Sequence, residues 1–74
     1  MPKLSPIKAR LLIKFLKERG FVEVRQKGSH KFFAHHDGRT TVVPFHPNKE
    51  IGPGLLRSIL NDIRISPEEF KRSN

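Results

Sequence analysis

Seven consecutive residues, Arg25-Gln26-Lys27-Gly28-Ser29-His30-Lys31, place an imidazole, a hydroxyl and three cationic side chains together. An imidazole with its ordinary pKa of about 6.5 gives and takes protons near neutral pH. Cations on either side of it can hold a phosphodiester close while it does so. RNA strand cleavage needs these ingredients: a base for the ribose 2′-hydroxyl proton, positive charge for the phosphorane, and an acid for the departing 5′-oxygen. On these residues alone His30 is as readily a nucleic-acid contact as a catalyst. Ser29 has no evident carboxylate–histidine relay, which speaks against a serine nucleophile.

The other histidines, His35, His36 and His46, offer less. His35 and His36 are neighbours at an expected strand end, so they should project to opposite faces and not chelate one ion together. There is no cysteine and no tight carboxylate cluster, and no metal or other cofactor is expected. These three histidines read as surface residues of a strand end and a loop. His46, beside Pro47, lies either near the hairpin or against a bound strand.

Something must hold His30 in place, and 74 residues allow one small domain, residues 1–74, to do it. A domain of this size buries only about 60% of the surface its unfolded chain exposes, so function is expected on a surface and not in a deep cavity. The absence of cysteine excludes disulfides, thiolate zinc and Fe–S clusters, and suits a reducing cytoplasm. No apolar run approaches the roughly 20 residues a membrane span needs, and the N-terminus lacks a signal-peptide core. The formal charge is +8, from fifteen Lys/Arg against seven Asp/Glu. Such a surface suits nucleic acid, anionic lipid or an acidic protein. Acidic residues gather after Glu50, so the first two-thirds of the chain is the part that faces a polyanion.

The positioning elements follow in order. Ser5-Pro6 has the form of an N-cap and first helical residue, and Ile7, Leu11, Leu12, Phe15 and Leu16 recur at helical spacing, predicting a helix over about 6–19. Gly20 suits a left-handed cap. The alternation Val22-Glu23-Val24-Arg25 predicts a strand over 21–26, with a hairpin turn at Gly28 and a second strand over 29–35. Asp37-Gly38 predicts the next turn and Thr40–Phe45 a third strand, with Pro44 at an edge or end. Residues 46–50 read as a loop. Gly52-Pro53 opens a second helix carrying Leu55, Leu56, Ile59, Leu60 and Ile63, and Ser66-Pro67-Glu68-Glu69 is a capping box for a short third helix to about Arg72. Phe32 and Phe33 are adjacent and must face opposite sides of the sheet. The leader 1–5 and tail 71–74 should be flexible. The fold class is α+β: a three-stranded antiparallel sheet with helices on one face, in the α-β-β-β-α order of a double-stranded-RNA-binding-like fold.

Three strings, Arg25-Gln26-Lys27-Gly28-Ser29-His30, Thr41-Val42-Val43-Pro44-Phe45-His46 and Leu56-Arg57-Ser58-Ile59-Leu60, together resemble the HicA family of toxins in order and spacing. Gly20-Phe21-Val22 and the closing Ile65-Ser66-Pro67-Glu68-Glu69-Phe70 are similar too, so the resemblance runs from about Leu12 to Phe70. It implies the toxin of a type II toxin–antitoxin system, an mRNA interferase acting in the cytoplasm, with His30 catalytic. Arg25, Lys27, Gly28, Ser29 and Lys31 are then the expected RNA- and phosphate-binding residues. The implied partners are mRNA and an acidic HicB-like antitoxin that caps the site and carries a DNA-binding segment. The alternatives from other classes are a non-catalytic RNA-binding module and a protein-interaction domain using the same basic face. Gly54-Leu55-Leu56-Arg57 departs from the usual Gly-Thr-Leu-Arg, and Arg64 stands where a glycine is usual, at the expected helix end. Neither departure touches Gly28-Ser29-His30.

Overall fold

The computed structural model describes residues 3–73. The elements are β1 (Ile7–Lys8), α1 (Ala9–Glu18), β2 (Val22–Lys27), β3 (His30–Ala34), β4 (Thr40–Pro44), β5 (Glu50–Ile51), α2 (Pro53–Asp62) and α3 (Pro67–Arg72). Strands β2-β3-β4 form the expected antiparallel meander. Around them stand the expected helices, α1 before the sheet and α2 and α3 after it. Leu12, Leu16, Phe33, Val43, Leu56, Ile59 and Leu60 are almost fully buried between the helices and one sheet face.

The start of the first helix differs from the sequence expectation. Ser5-Pro6 does not cap it. Ile7 and Lys8 stay extended and pair with Ile51 and Glu50 in a second, two-stranded sheet, so α1 begins only at Ala9, from an uncapped Lys8. The residues expected to form a plain loop before α2 thus include a strand. The pairing seats Ile51 in the core and leaves Ile7 packed against it, an apolar gain that outweighs one cap. Leu4 of the leader is a core residue as well, 5% exposed. Residues 1, 2 and 74 of the expected flexible ends lie outside the described residues.

The C-terminal end of α1 follows the sequence. Gly20 takes φ 90°. Its N–H donates to the Lys17 carbonyl and the Phe21 N–H to the Leu16 carbonyl, the paired closure of a Schellman motif. A Cβ on Gly20 would also come within 2.9 Å of the His35 ring, so a larger residue would have to displace that ring as well as strain the backbone. Helix α2 ends in the same way without a glycine: Arg64 takes φ 58°, and Ile65 N–H donates to the Leu60 carbonyl. The unusual arginine therefore leaves the cap intact and places a Cβ-bearing residue in a left-handed conformation. Helix α3 opens on Ser66, whose Oγ accepts the Glu69 N–H at 3.1 Å. The Glu69 carboxylate turns to Arg19 at 2.8 Å, tying α3 to the end of α1, and Phe70 packs edge-on against Phe15.

Candidate active site

The hairpin that carries His30 is closed by the pair Lys27↔His30, with Gly28 (φ 59°) and Ser29 as its two-residue turn. A positive φ at the first turn residue matches the strand twist of a tight hairpin and is open to glycine at little cost. His30 is thus the first residue of the central strand, at its exposed tip.

Register decides which residues share its face. β3 pairs on one side with β2 as Gln26↔Lys31, Arg25↔Phe32 and Glu23↔Phe33, a step that skips Val24 as a bulge. On the other side it pairs with β4 as His30↔Pro44, Phe32↔Val42 and Phe33↔Thr41. Side chains alternate along a strand, so Lys27-His30-Pro44 and Arg25-Phe32-Val42 form two adjacent rows on one face. Phe33, Thr41 and Val43, all buried, lie on the other, under the helices. The sheet therefore keeps one face open, and His30 stands on it beside two cations and a phenyl ring. The pair Phe32 and Phe33, undecided by pattern alone, resolves as Phe32 outward and Phe33 in the core.

The bulge at Val24 sets this arrangement. Without it the alternation of β2 would put Glu23, Arg25 and Lys27 on one face; with it Glu23 turns toward the helix side while Arg25 and Lys27 remain with His30. Val22 and Val24, the apolar members of the strand signature, are 62% and 60% exposed.

Arg25 lies over the Phe32 ring, its guanidinium carbon 4.4 Å from the centroid. The His30 imidazole makes no hydrogen bond to a described residue and is exposed, free to meet a substrate. The Gln26 side-chain amide donates to the Gly28 carbonyl at 2.9 Å, bracing the turn, and Phe45 N–H donates to the Ser29 carbonyl at 2.6 Å, bracing it from β4. That second bond makes Ser29 and Phe45 a hydrogen-bonded pair, so Pro44, opposite His30, stands where its missing N–H breaks no ladder bond.

Lys31 is not part of this group. It faces the helix side of the sheet, where its Nζ is 3.3 Å from a Glu23 carboxylate oxygen and 5.2 Å from the Phe45 ring centroid. The structure brings together Arg25, Lys27 and His30, keeps Gly28 and Ser29 as their turn, and separates Lys31 from them.

His35 and His36 sit at the far end of β3. Their rings stack at 4.3 Å, against the expectation of opposite faces, because the strand ends at Ala34 and the turn releases the alternation. His35 is a packing residue: its ring lies 5.0 Å from that of Phe21, and its Nδ1 accepts the Asp37 N–H at 3.1 Å. Hydrogen bonds from the Arg39 backbone N–H and guanidinium hold the Asp37 carboxyl below its usual range, aided by the charges of Arg39 and His35 and opposed by partial desolvation. Among the described residues no three His, Asp or Glu side chains gather to hold a metal ion. A groove of about 690 Å³ lies elsewhere, between the leader, α1 and α3, lined by Leu4, Pro6, Leu11, Phe15 and Phe70. No imidazole lines it.

Residues 9–65 of the chain match the family model described as the HicA toxin of bacterial toxin–antitoxin systems. Fold order, hairpin and match agree on the class, a small α+β toxin with its candidate site on the sheet. The chain belongs to the HicA toxin family. Comparison with curated proteins returns no match. Among the described residues, no helix is long and apolar enough to cross a membrane.

Proposed function

We propose that this toxin is an mRNA interferase: an endoribonuclease of the cytoplasm that cleaves RNA at His30 and is neutralised by an acidic, HicB-like antitoxin covering the open sheet face. The observation that carries this reading is the exposed, unpartnered His30 at the hairpin tip, flanked on one face by Lys27 and Arg25. Phosphate would lie along these cations and a base would stack on the Arg25–Phe32 pair, which suits an unpaired strand because every base offers a π-face. His30 then moves a proton at the ribose 2′-oxygen or the 5′-leaving oxygen, while the cations stabilise the charge developing on phosphorus. A chain of net charge +8 also favours fast capture by an acidic partner.

The test is single-turnover cleavage of a defined RNA by the wild-type chain and His30→Ala. The variant should bind RNA almost unchanged and cleave about 10²–10⁴-fold more slowly. Cleavage by His30→Ala at the wild-type rate would remove His30 from the reaction. Retention of intact RNA by the wild type over long incubation would favour a non-catalytic RNA-binding module.

A further inference from the structure

We propose that His46 is the second proton-transfer group of this site, acting with His30 across the phosphodiester; the proposal rests on the ribonuclease reading above. By its position after β4, His46 looks like loop. Two local observations and the alternation of an extended chain return it to the open face. The ladder of β3 and β4 continues past His30↔Pro44 through the Phe45 N–H bond to the Ser29 carbonyl, which fixes Phe45 opposite Ser29. The Phe45 ring packs against the core and lies 5.2 Å from the Lys31 ammonium, so it faces the helix side. The next residue in an extended chain must face the other way.

Its neighbours favour an extended backbone at His46 and fix the chain just after it. It precedes Pro47, whose ring disfavours the helical region for its predecessor and pushes it toward extended backbone. Its carbonyl accepts the Lys49 N–H at 3.0 Å, closing a turn with Pro47 at the second position, where proline is favoured. The bond between Phe45 and Ser29 carries the register one residue past 30↔44, so His46 follows at the hairpin tip, two residues beyond Pro44. His30 and His46 are then diagonal neighbours across the strands, a relation that sets backbones about 7–8 Å apart. Two side chains at that separation can reach opposite sides of one phosphate. Both are exposed, whereas His35 and His36 stand at the other end of β3. The charged groups nearest in register and sequence are Arg25 and Lys27 on β2, Lys49 and Glu50 after the turn, and Lys8, which pairs with Glu50.

The step balances without a cofactor. The neutral imidazole of the pair takes the 2′-hydroxyl proton as the 2′-oxygen bonds to phosphorus. The P–O5′ bond breaks, and O5′ takes the proton of the other, protonated imidazole. The products are a 2′,3′-cyclic phosphate and a 5′-hydroxyl end, and the two imidazoles exchange protonation states.

The experiment compares wild type, His30→Gln and His46→Gln in single-turnover cleavage from acidic to basic pH, with RNA binding measured alongside. The wild type should give a bell-shaped profile, and each variant should lose about 10²–10⁴-fold and keep one limb only, with binding little changed. A substrate whose 5′-bridging oxygen is replaced by sulfur has a leaving group that departs without a proton. It should restore the variant lacking the acid close to the wild-type rate and leave the other slow. His46→Gln with a wild-type rate, a slowed His46→Gln with an unchanged bell, or no restoration of either variant would overturn the assignment. If the wild type leaves RNA intact, the ribonuclease reading itself fails, a result distinct from failure of His46 alone.

Discussion

The Arg25 guanidinium lies 4.4 Å over the ring of Phe32, its cross-strand partner, on the sheet face that no helix covers. A phenyl ring with a guanidinium over it on an open face offers a stacking platform, and an RNA base beside the two fits that chemistry. Phe32→Ala should therefore weaken binding of an unpaired RNA by about 1–3 kcal/mol, roughly 5- to 150-fold, and leave the fold intact. Its neighbour supplies the control. Phe33 is 1% exposed, and Phe33→Ala should cost about 3–5 kcal/mol of stability. Equilibrium binding together with thermal melting of both variants checks the pair; equal binding by Phe32→Ala and wild type would refute the stacking role.

Two lysines four residues apart should behave differently toward salt. Lys27 stands beside His30 on the open face, whereas Lys31 faces the other way and is 3.3 Å from a Glu23 carboxylate oxygen. Lys27→Ala should flatten the slope of log K against log salt by about 0.7, one phosphate contact on a single strand. Lys31→Ala should leave that slope unchanged. Titration of RNA binding over a salt series reads both slopes, and a loss at Lys31 equal to that at Lys27 would contradict the register-based division of faces.

Signals that need only local chemistry were legible in the sequence. Gly20 as a left-handed cap, Gly28 in a tight turn, Ser66 as an N-cap and the α-β-β-β-α order all follow from residue type and period. What local pattern missed depends on partners distant in sequence. Ser5-Pro6 has a sound cap signature, yet Ile7-Lys8 pairs with Glu50-Ile51 instead, and nothing periodic marks a two-residue strand. The alternation Val22-Glu23-Val24-Arg25 does mark a strand, but the bulge turns both valines outward and Glu23 inward. The face of Phe32, and with it the composition of the site, became readable only once that register was known.

The turn after β3 gives a pH prediction. The Asp37 carboxyl is held below its ordinary value of 3.8, first by the Arg39 backbone N–H and then by the Arg39 side chain and nearby positive charge. A carboxyl with a depressed folded pKa adds stability above its unfolded value and loses that contribution as pH falls through the folded one. Asp37→Asn should therefore melt below wild type at neutral pH, and the gap should close as pH drops beneath 3.8. Arg39 also donates to the Ile63 carbonyl, so Arg39→Ala should destabilise at both pH extremes. Melting curves across acidic and neutral pH check this; a gap for Asp37→Asn that widens in acid would reverse the sign.

The end of α2 offers a stabilising substitution. Arg64 holds φ 58° while Ile65 N–H and Arg64 N–H close the Schellman pair on Leu60 and Asn61. A Cβ-bearing residue in the left-handed region costs about 1–2 kcal/mol, which glycine avoids. Against that, glycine has more freedom to lose from the unfolded chain, about 0.5–1 kcal/mol. The balance for Arg64→Gly is a gain of about 0.5–1 kcal/mol, or roughly 2–8 °C in melting temperature for a domain of this size. Arg64→Ala removes the same charge but keeps the Cβ in the strained region, and so separates backbone from electrostatics. Only the glycine variant should gain. Equal stabilisation by alanine would show that relief of positive charge near Arg57, and not the left-handed backbone, limits the stability of this helix end.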